Sequence, residues 1–234
     1  MTLALLFVVI LLLVEKGIIT YSTPDTSQYP VKGVDVSSYQ GDIDWQLLAN
    51  QNIQFAFIKA TEGSSHVDPT FSYNYREANK TGLRVGAYHF FSFDSPARTQ
   101  AQNYIVNVYK TKTMLPPVID IELYGDKAKH HPDPATTKAA LKELCDAFEE
   151  AYGMKPILYV TERSYGLYIK DDFKIYDIWI RNTIKQPVLD SDQNWTFWQY
   201  TNKARLPGYK GIEHRIDMNV FHGSAEQFKS YPSP

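Results

Sequence analysis

Two carboxylates one residue apart, Asp120 and Glu122, lie in the apolar run Pro116-Pro117-Val118-Ile119-Asp120-Ile121-Glu122. Charged groups in an apolar strand cost free energy unless they are paired or put to use. Alternation along a strand sets residues 120 and 122 on one face and Ile119 and Ile121 on the other. The isoleucines can then pack while both carboxyls address one space. Acids held close together resist ionising together, so one keeps its proton while the other loses it. Acid-catalysed glycoside cleavage needs that division. The Cα atoms of residues i and i+2 are roughly 6.6 Å apart in a strand, a spacing that does not choose between inverting and retaining chemistry. Two further acids lie in strand-like segments, Asp35 in "GVDVSSYQGDIDW" and Asp217 in "RIDMNVF".

The elements that must position them alternate. "VKGVDVS", "IQFAFIKAT", "RVGAYHFF", "PPVIDIE" and "KPILYVT" read as strands, each followed by a helical segment. The third helix is expected to begin at Pro96 with Ser95 as its cap. The fourth runs through "DPATTKAALKELCDAFEEAYG" to a terminal glycine. "YDIWIRN", "WTFWQYT" and "RIDMNVF" add three strands with only loops between them. Alternating strands and helices imply a parallel sheet, and eight strands imply closure. The expected fold is α/β, a single-domain irregular TIM-like barrel of the (β/α)5(β)3 kind. In such a barrel the site lies at the C-terminal strand ends. Asp120 and Glu122 end the fourth strand and Asp35 lies near the end of the first. Closure makes the first and last strands neighbours, which brings Asp217 to the same mouth.

Composition removes other classes. A net charge of -2 without a basic excess excludes a nucleic-acid partner. The single cysteine, Cys145, cannot form an intrachain disulfide and falls at a helical core spacing. His130 and His131, with Asp126 and Asp133, match no standard ligand set, so no metal and no cofactor is expected. There is no phosphate-binding glycine loop and no nucleophile elbow. The abundant aromatics, 14% of the chain, suit a core and a sugar cleft. Tyr88, Tyr159, Trp179, Trp198 and Tyr200 lie in or at the ends of strands and divide between core and cleft; Tyr88, Tyr159 and Trp198 are the candidate cleft aromatics, and Lys59 and Glu62 of "KATEG" are candidate rim residues. His89, next to Tyr88, points the other way and reads as structural. The apolar run Leu3 to Val14 has the length of a signal-peptide core and falls short of a full membrane span. Export is expected, with residues 1–22 as a cleaved signal or an N-terminal membrane anchor, the only expected membrane contact.

In order along the chain, "GVDVSSYQGDIDW", "FAFIKATEG", "GAYHFF", "PPVIDIE", "WTFWQYT" and "IDMNVF" resemble the family 25 glycoside hydrolases, the lysozymes or N-acetylmuramidases of that family. The resemblance implies hydrolysis of the β-1,4 bond between N-acetylmuramic acid and N-acetylglucosamine, with peptidoglycan strands as the partner. It implies Glu122 as general acid and base, Asp120 as the residue that orients the substrate acetamido group, and Asp35 and Asp217 as supporting acids. Retention through an oxazolinium-type intermediate is the expected course. The expected layout is residues 23–30 as linker, 31–225 as the catalytic domain and 226–234 as a tail, in a monomer that is secreted, periplasmic or membrane-anchored. Two alternatives are a non-catalytic glycan-binding barrel and a hydrolase of another amino-sugar polymer such as chitin.

Overall fold

The computed structural model describes residues 23–189 and 193–232 and, before them, only Leu6 and Val8. Apart from those two residues, the expected signal or anchor lies outside the described residues. No described helix is long and apolar enough to cross a membrane.

One sheet contains β1 (Lys32–Val36), β2 (Phe55–Glu62), β3 (His66–Val67), β4 (Arg84–Phe90), β5 (Val118–Ile121), β6 (Ile157–Thr161), β7 (Ile178–Arg181), β8 (Phe197–Ala204) and β9 (Ile216–Phe221). The order β1-β9-β8-β7-β6-β5-β4-β2, with β1 also paired to β2, closes eight strands into a barrel. The short β3 is added to the rim of β2. Every pairing from β1 through β2 to β8 is parallel. The last strand departs from the expected parallel sheet, because β9 is antiparallel to both β8 and β1. No helix lies in residues 205–215, and an antiparallel pair needs no crossover helix.

Helices follow the first five long strands. Helix Trp45–Ala49 is capped by Asp44, whose carboxylate accepts from the Leu47 amide. Helix Phe71–Ala78 follows β2. The helix after β4, Ala97–Asn107, starts one residue later than expected: Pro96 takes the cap position and no side chain caps it. Helix Pro134–Tyr152 has Asp133 as cap, proline at its first turn and Gly153 in the left-handed region at φ 72°. After β6, Glu162–Ser164 continues into a wider turn over Tyr165–Ile169.

Alternation along the strands makes two cores. Ile119, Ile121 and Cys145 belong to the outer one, between barrel and helices. The inner one holds Phe55, Phe57, Val118, Trp179, Phe197 and Phe221, and Phe228 joins it from helix Ala225–Ser230. Packed structure therefore extends into the segment read as a tail. At the other end Tyr29, within the segment read as a linker, is buried against Trp195 with ring centroids 5.3 Å apart.

Space for the inner rings comes from glycine. Gly33 stands opposite Phe55 in the β1–β2 register, and a Cβ there would lie 2.3 Å from the ring. Gly86 stands opposite Phe57, and its Cβ would lie 2.6 Å from that ring. Gly33→Ala is expected to destabilise the protein by about 1–3 kcal/mol through overpacking. Gly82→Ala, where a Cβ meets nothing within 4 Å, is the control. Urea unfolding of the two variants measures the difference, and equal midpoints would refute this packing account.

Candidate active site

The inner rings fill the barrel up to Phe57, which stacks on Trp179 at 4.6 Å and 27°. Tyr159 meets the same indole edge-on at 4.5 Å. Above this layer the inward positions become polar. They open into a cavity of about 420 Å³ whose lining includes Asp35, Asp120, Glu122 and Asp217. The four acids foreseen from the sequence thus share one space.

The reversed last strand is what brings Asp217 there. A parallel strand would carry its second residue at the floor, whereas β9 enters from the rim, so Asp217 pairs in register with Asp35. Gln199 joins them. Its amide nitrogen donates to Asp35 Oδ2 at 2.9 Å and to Asp217 Oδ2 at 3.0 Å, and its amide oxygen accepts from the Tyr159 hydroxyl at 3.0 Å. Asn219 donates to Asp35 Oδ2 at 2.7 Å and accepts from the Trp179 indole at 2.8 Å. The two carboxyls thus share the side-chain amide of one glutamine. Burial raises the pKa of both. Asp35 has the amide donors of Asn219 and Gln199 to favour its charged form, while Asp217 faces the Asp35 charge and is pushed well up.

Asp120 and Glu122 form the second pair. Asp120 is 7% exposed, and its Oδ1 is buried with no hydrogen-bond partner among the described residues. Burial first, then the neighbouring Glu122 charge, push its pKa well above the usual carboxylate range, against the pull of Lys59. Burial also raises Glu122, with Arg181 drawing it back down. A buried carboxylate oxygen without a donor is costly, and such groups gather at functional sites.

The candidate rim and cleft residues divide. Tyr88, Tyr159 and Lys59 line the cavity. Glu62 does not, but it pairs with Lys59 at 2.6 Å. Residues 59 and 62 of a regular strand point to opposite faces. Here the β2–β4 register slips between Lys59 and Thr61, and the extra residue returns Glu62 to the face of Lys59. Trp198 is a correction. Phe197 and Gln199 face inward, so Trp198 faces outward, where it is 1% exposed, packs on Trp195 and donates to the Asn182 carbonyl at 2.8 Å. The cleft tryptophan is Trp179. His89 is structural as expected. Its Nδ1 meets the Thr61 hydroxyl at 2.7 Å, its Nε2 meets Gln100 Oε1 at 3.1 Å, and burial pushes it down to about 4. Sequence reasoning missed Gln199, Asn219 and Arg181. The available signal was strand alternation, which sets Gln199 two residues from the core Phe197, Asn219 two from Asp217 and Arg181 two from Trp179.

The family model described as "Glycosyl hydrolases family 25" matches residues 34–209. A solved family 25 glycosyl hydrolase from Bacillus anthracis is 53% identical, with a TM-score of 0.84, covering 89% of this chain and 96% of that one. Protein YegX of Escherichia coli is 31% identical, covering 88% of this chain and 74% of its own length. Lysozyme M1 of Streptomyces globisporus is 30% identical, covering 88% and 72%.

The buried acids make a stability prediction. The Asp120 pKa is higher folded than unfolded, so its contribution is most favourable below pH ~4 and is lost as pH rises through the folded-state value. Asparagine carries no such loss. Asp120→Asn is expected to raise stability at pH 7 by about 0.5–2 kcal/mol, with the gain shrinking toward pH 4. Thermal melts at the two pH values measure it, and a variant less stable than wild type at pH 7 would contradict the argument.

Proposed function

The chain belongs to glycosyl hydrolase family 25, and from that membership we propose that it is a lysozyme of the N-acetylmuramidase kind. It cleaves the β-1,4 bond from N-acetylmuramic acid to N-acetylglucosamine in peptidoglycan. The observation that carries this reading is the buried Oδ1 of Asp120, without a hydrogen-bond partner among the described residues, next to Glu122 in the cavity. A site that only bound neutral sugar faces would have no use for a carboxylate oxygen kept from water and from every donor.

In the proposed reaction the acetamido N–H of the muramyl residue donates to Asp120. This favours the Asp120 anion and leaves the proton of the pair on Glu122. The acetamido oxygen attacks the anomeric carbon as the bond from that carbon to the bridging oxygen breaks. Glu122 gives its proton to the departing oxygen. Water then attacks the anomeric carbon of the oxazolinium ring and loses its proton to Glu122, which regenerates the acetamido group. Two inversions give net retention. Because the nucleophile is the substrate's own, the carboxyl-separation rule of two-carboxylate glycosidases does not apply. Asp35 and Asp217, tied together by Gln199, supply a fixed polar wall that needs no reorganisation during the reaction. Tyr88 and Tyr159 are proposed sugar contacts, with the Lys59–Glu62 pair at the rim.

The substrate lies outside the cytoplasm, so the reading includes export of the enzyme, with residues 1–22 as signal or anchor. All four acids of the proposed site come from one chain, and the proposed enzyme is a monomer.

Glu122→Gln is expected to reduce clearing of a cell-wall suspension by about 10³-fold or more with an unchanged melting profile. Clearing at the wild-type rate would overturn the assignment. Chitin suspensions should not clear, and clearing there at a matching rate would favour the chitin alternative. The configuration of the first-formed reducing end, followed by proton NMR, should be that of the substrate. Initial release of the inverted anomer would exclude the oxazolinium route.

A further inference from the structure

Two cations line the cavity, Lys59 and Arg181. Lys59 is already engaged, 2.6 Å from Glu62 and 4.9 Å from the Phe90 ring centroid. Among the described residues, no carboxylate lies within ion-pair distance of the Arg181 guanidinium and nothing accepts a hydrogen bond from it. Arg181 nonetheless acts on Glu122, Asp35 and Asp217, favouring the charged form of each. The guanidinium thus sits among three acids without joining any of them.

Its charge offsets theirs at a distance, yet none of the three accepts its hydrogen bonds. Instead, the protein satisfies Asp35 with the neutral amides of Gln199 and Asn219. Arg181 is also held firmly at its base. It pairs in register with Thr161 on one side and Gln199 on the other. The next residue, Asn182, donates its amide to the Gln199 carbonyl at 3.1 Å and accepts the Trp198 indole at 2.8 Å. A guanidinium has five donors in a rigid fork that matches a carboxylate. Here the fork is positioned in the cleft, and among the described residues nothing accepts a hydrogen bond from it.

The glycan backbone has no charge to offer it. The muramyl residue does, through its lactyl carboxyl when that is free, or through the acidic groups of a peptide attached there. Resting on the muramidase reading above, we propose that Arg181 is a specificity residue that binds a carboxylate on the muramyl substituent and so favours wall strands over uncharged amino-sugar polymers.

The test uses soluble wall strands in three forms: peptide-free with lactyl carboxylates, the same strands with those groups converted to methylamides, and strands with intact stem peptides. Wild-type enzyme is expected to prefer at least one carboxylate-bearing form over the methylamide form by about tenfold in kcat/KM, mostly through KM. Preference for the first form identifies the lactyl group, and preference for the third alone identifies the peptide. Arg181→Gln should abolish the preference, and Arg181→Lys should restore part of it, which a merely structural role would not do. Equal kcat/KM on all three forms in the wild type, or an equal loss on all three in Arg181→Gln, overturns this inference and leaves the muramidase reading standing. No cleavage of any form by wild type overturns both.

Discussion

The structure depends on how the barrel is closed. Seven long strands run one way, and the eighth must join β8 to β1. It does so antiparallel, which exchanges its floor and rim. Asp217, the second residue of β9, thereby reaches the mouth, while Phe221 at its other end reaches the inner core. With all eight strands parallel, the same sequence would bury a carboxylate among phenylalanines. Strand direction, side-chain alternation and register together bring Asp35 and Asp217 side by side, close enough for one glutamine to bridge them.

Below that level the barrel is a solid aromatic stack, and this sets the chemistry above it. The rings exclude water from beneath the acids, and exclusion of water is the largest cause of the raised pKa at Asp35, Asp120, Glu122 and Asp217 alike. The glycines that admit the rings are therefore linked to acid–base behaviour at the rim. Gly33 makes room for Phe55 two residues before Asp35, and Gly86 makes room for Phe57 two residues before Tyr88.

Much of this was legible from residue types. Two acids among isoleucines announce a strand with a polar face, and helix caps such as Asp44 and Asp133 are local signals that tertiary packing does not override. What escaped was decided at longer range. The direction of β9 depends on the connection before it, not on its own residues. Trp198 and Trp179 look alike as strand tryptophans, and only the inward neighbours Phe197 and Gln199 show that Trp198 must face out. The Lys59–Glu62 pair was readable as chemistry but not as geometry, because a slipped register cannot be seen in one strand alone. Gln199 and Asn219 were missed because neutral amides do not stand out until the acids they hold are in place.

Phe228 enters the inner core from beyond β9, packing against Phe55 near the other end of the chain. While the polypeptide is still emerging from the ribosome, neither the closing strand nor this stopper is available, so the aromatic interior stays wet until residues 216–228 have been made. The inner core therefore lacks Phe221 and Phe228 until nearly the whole chain has been made.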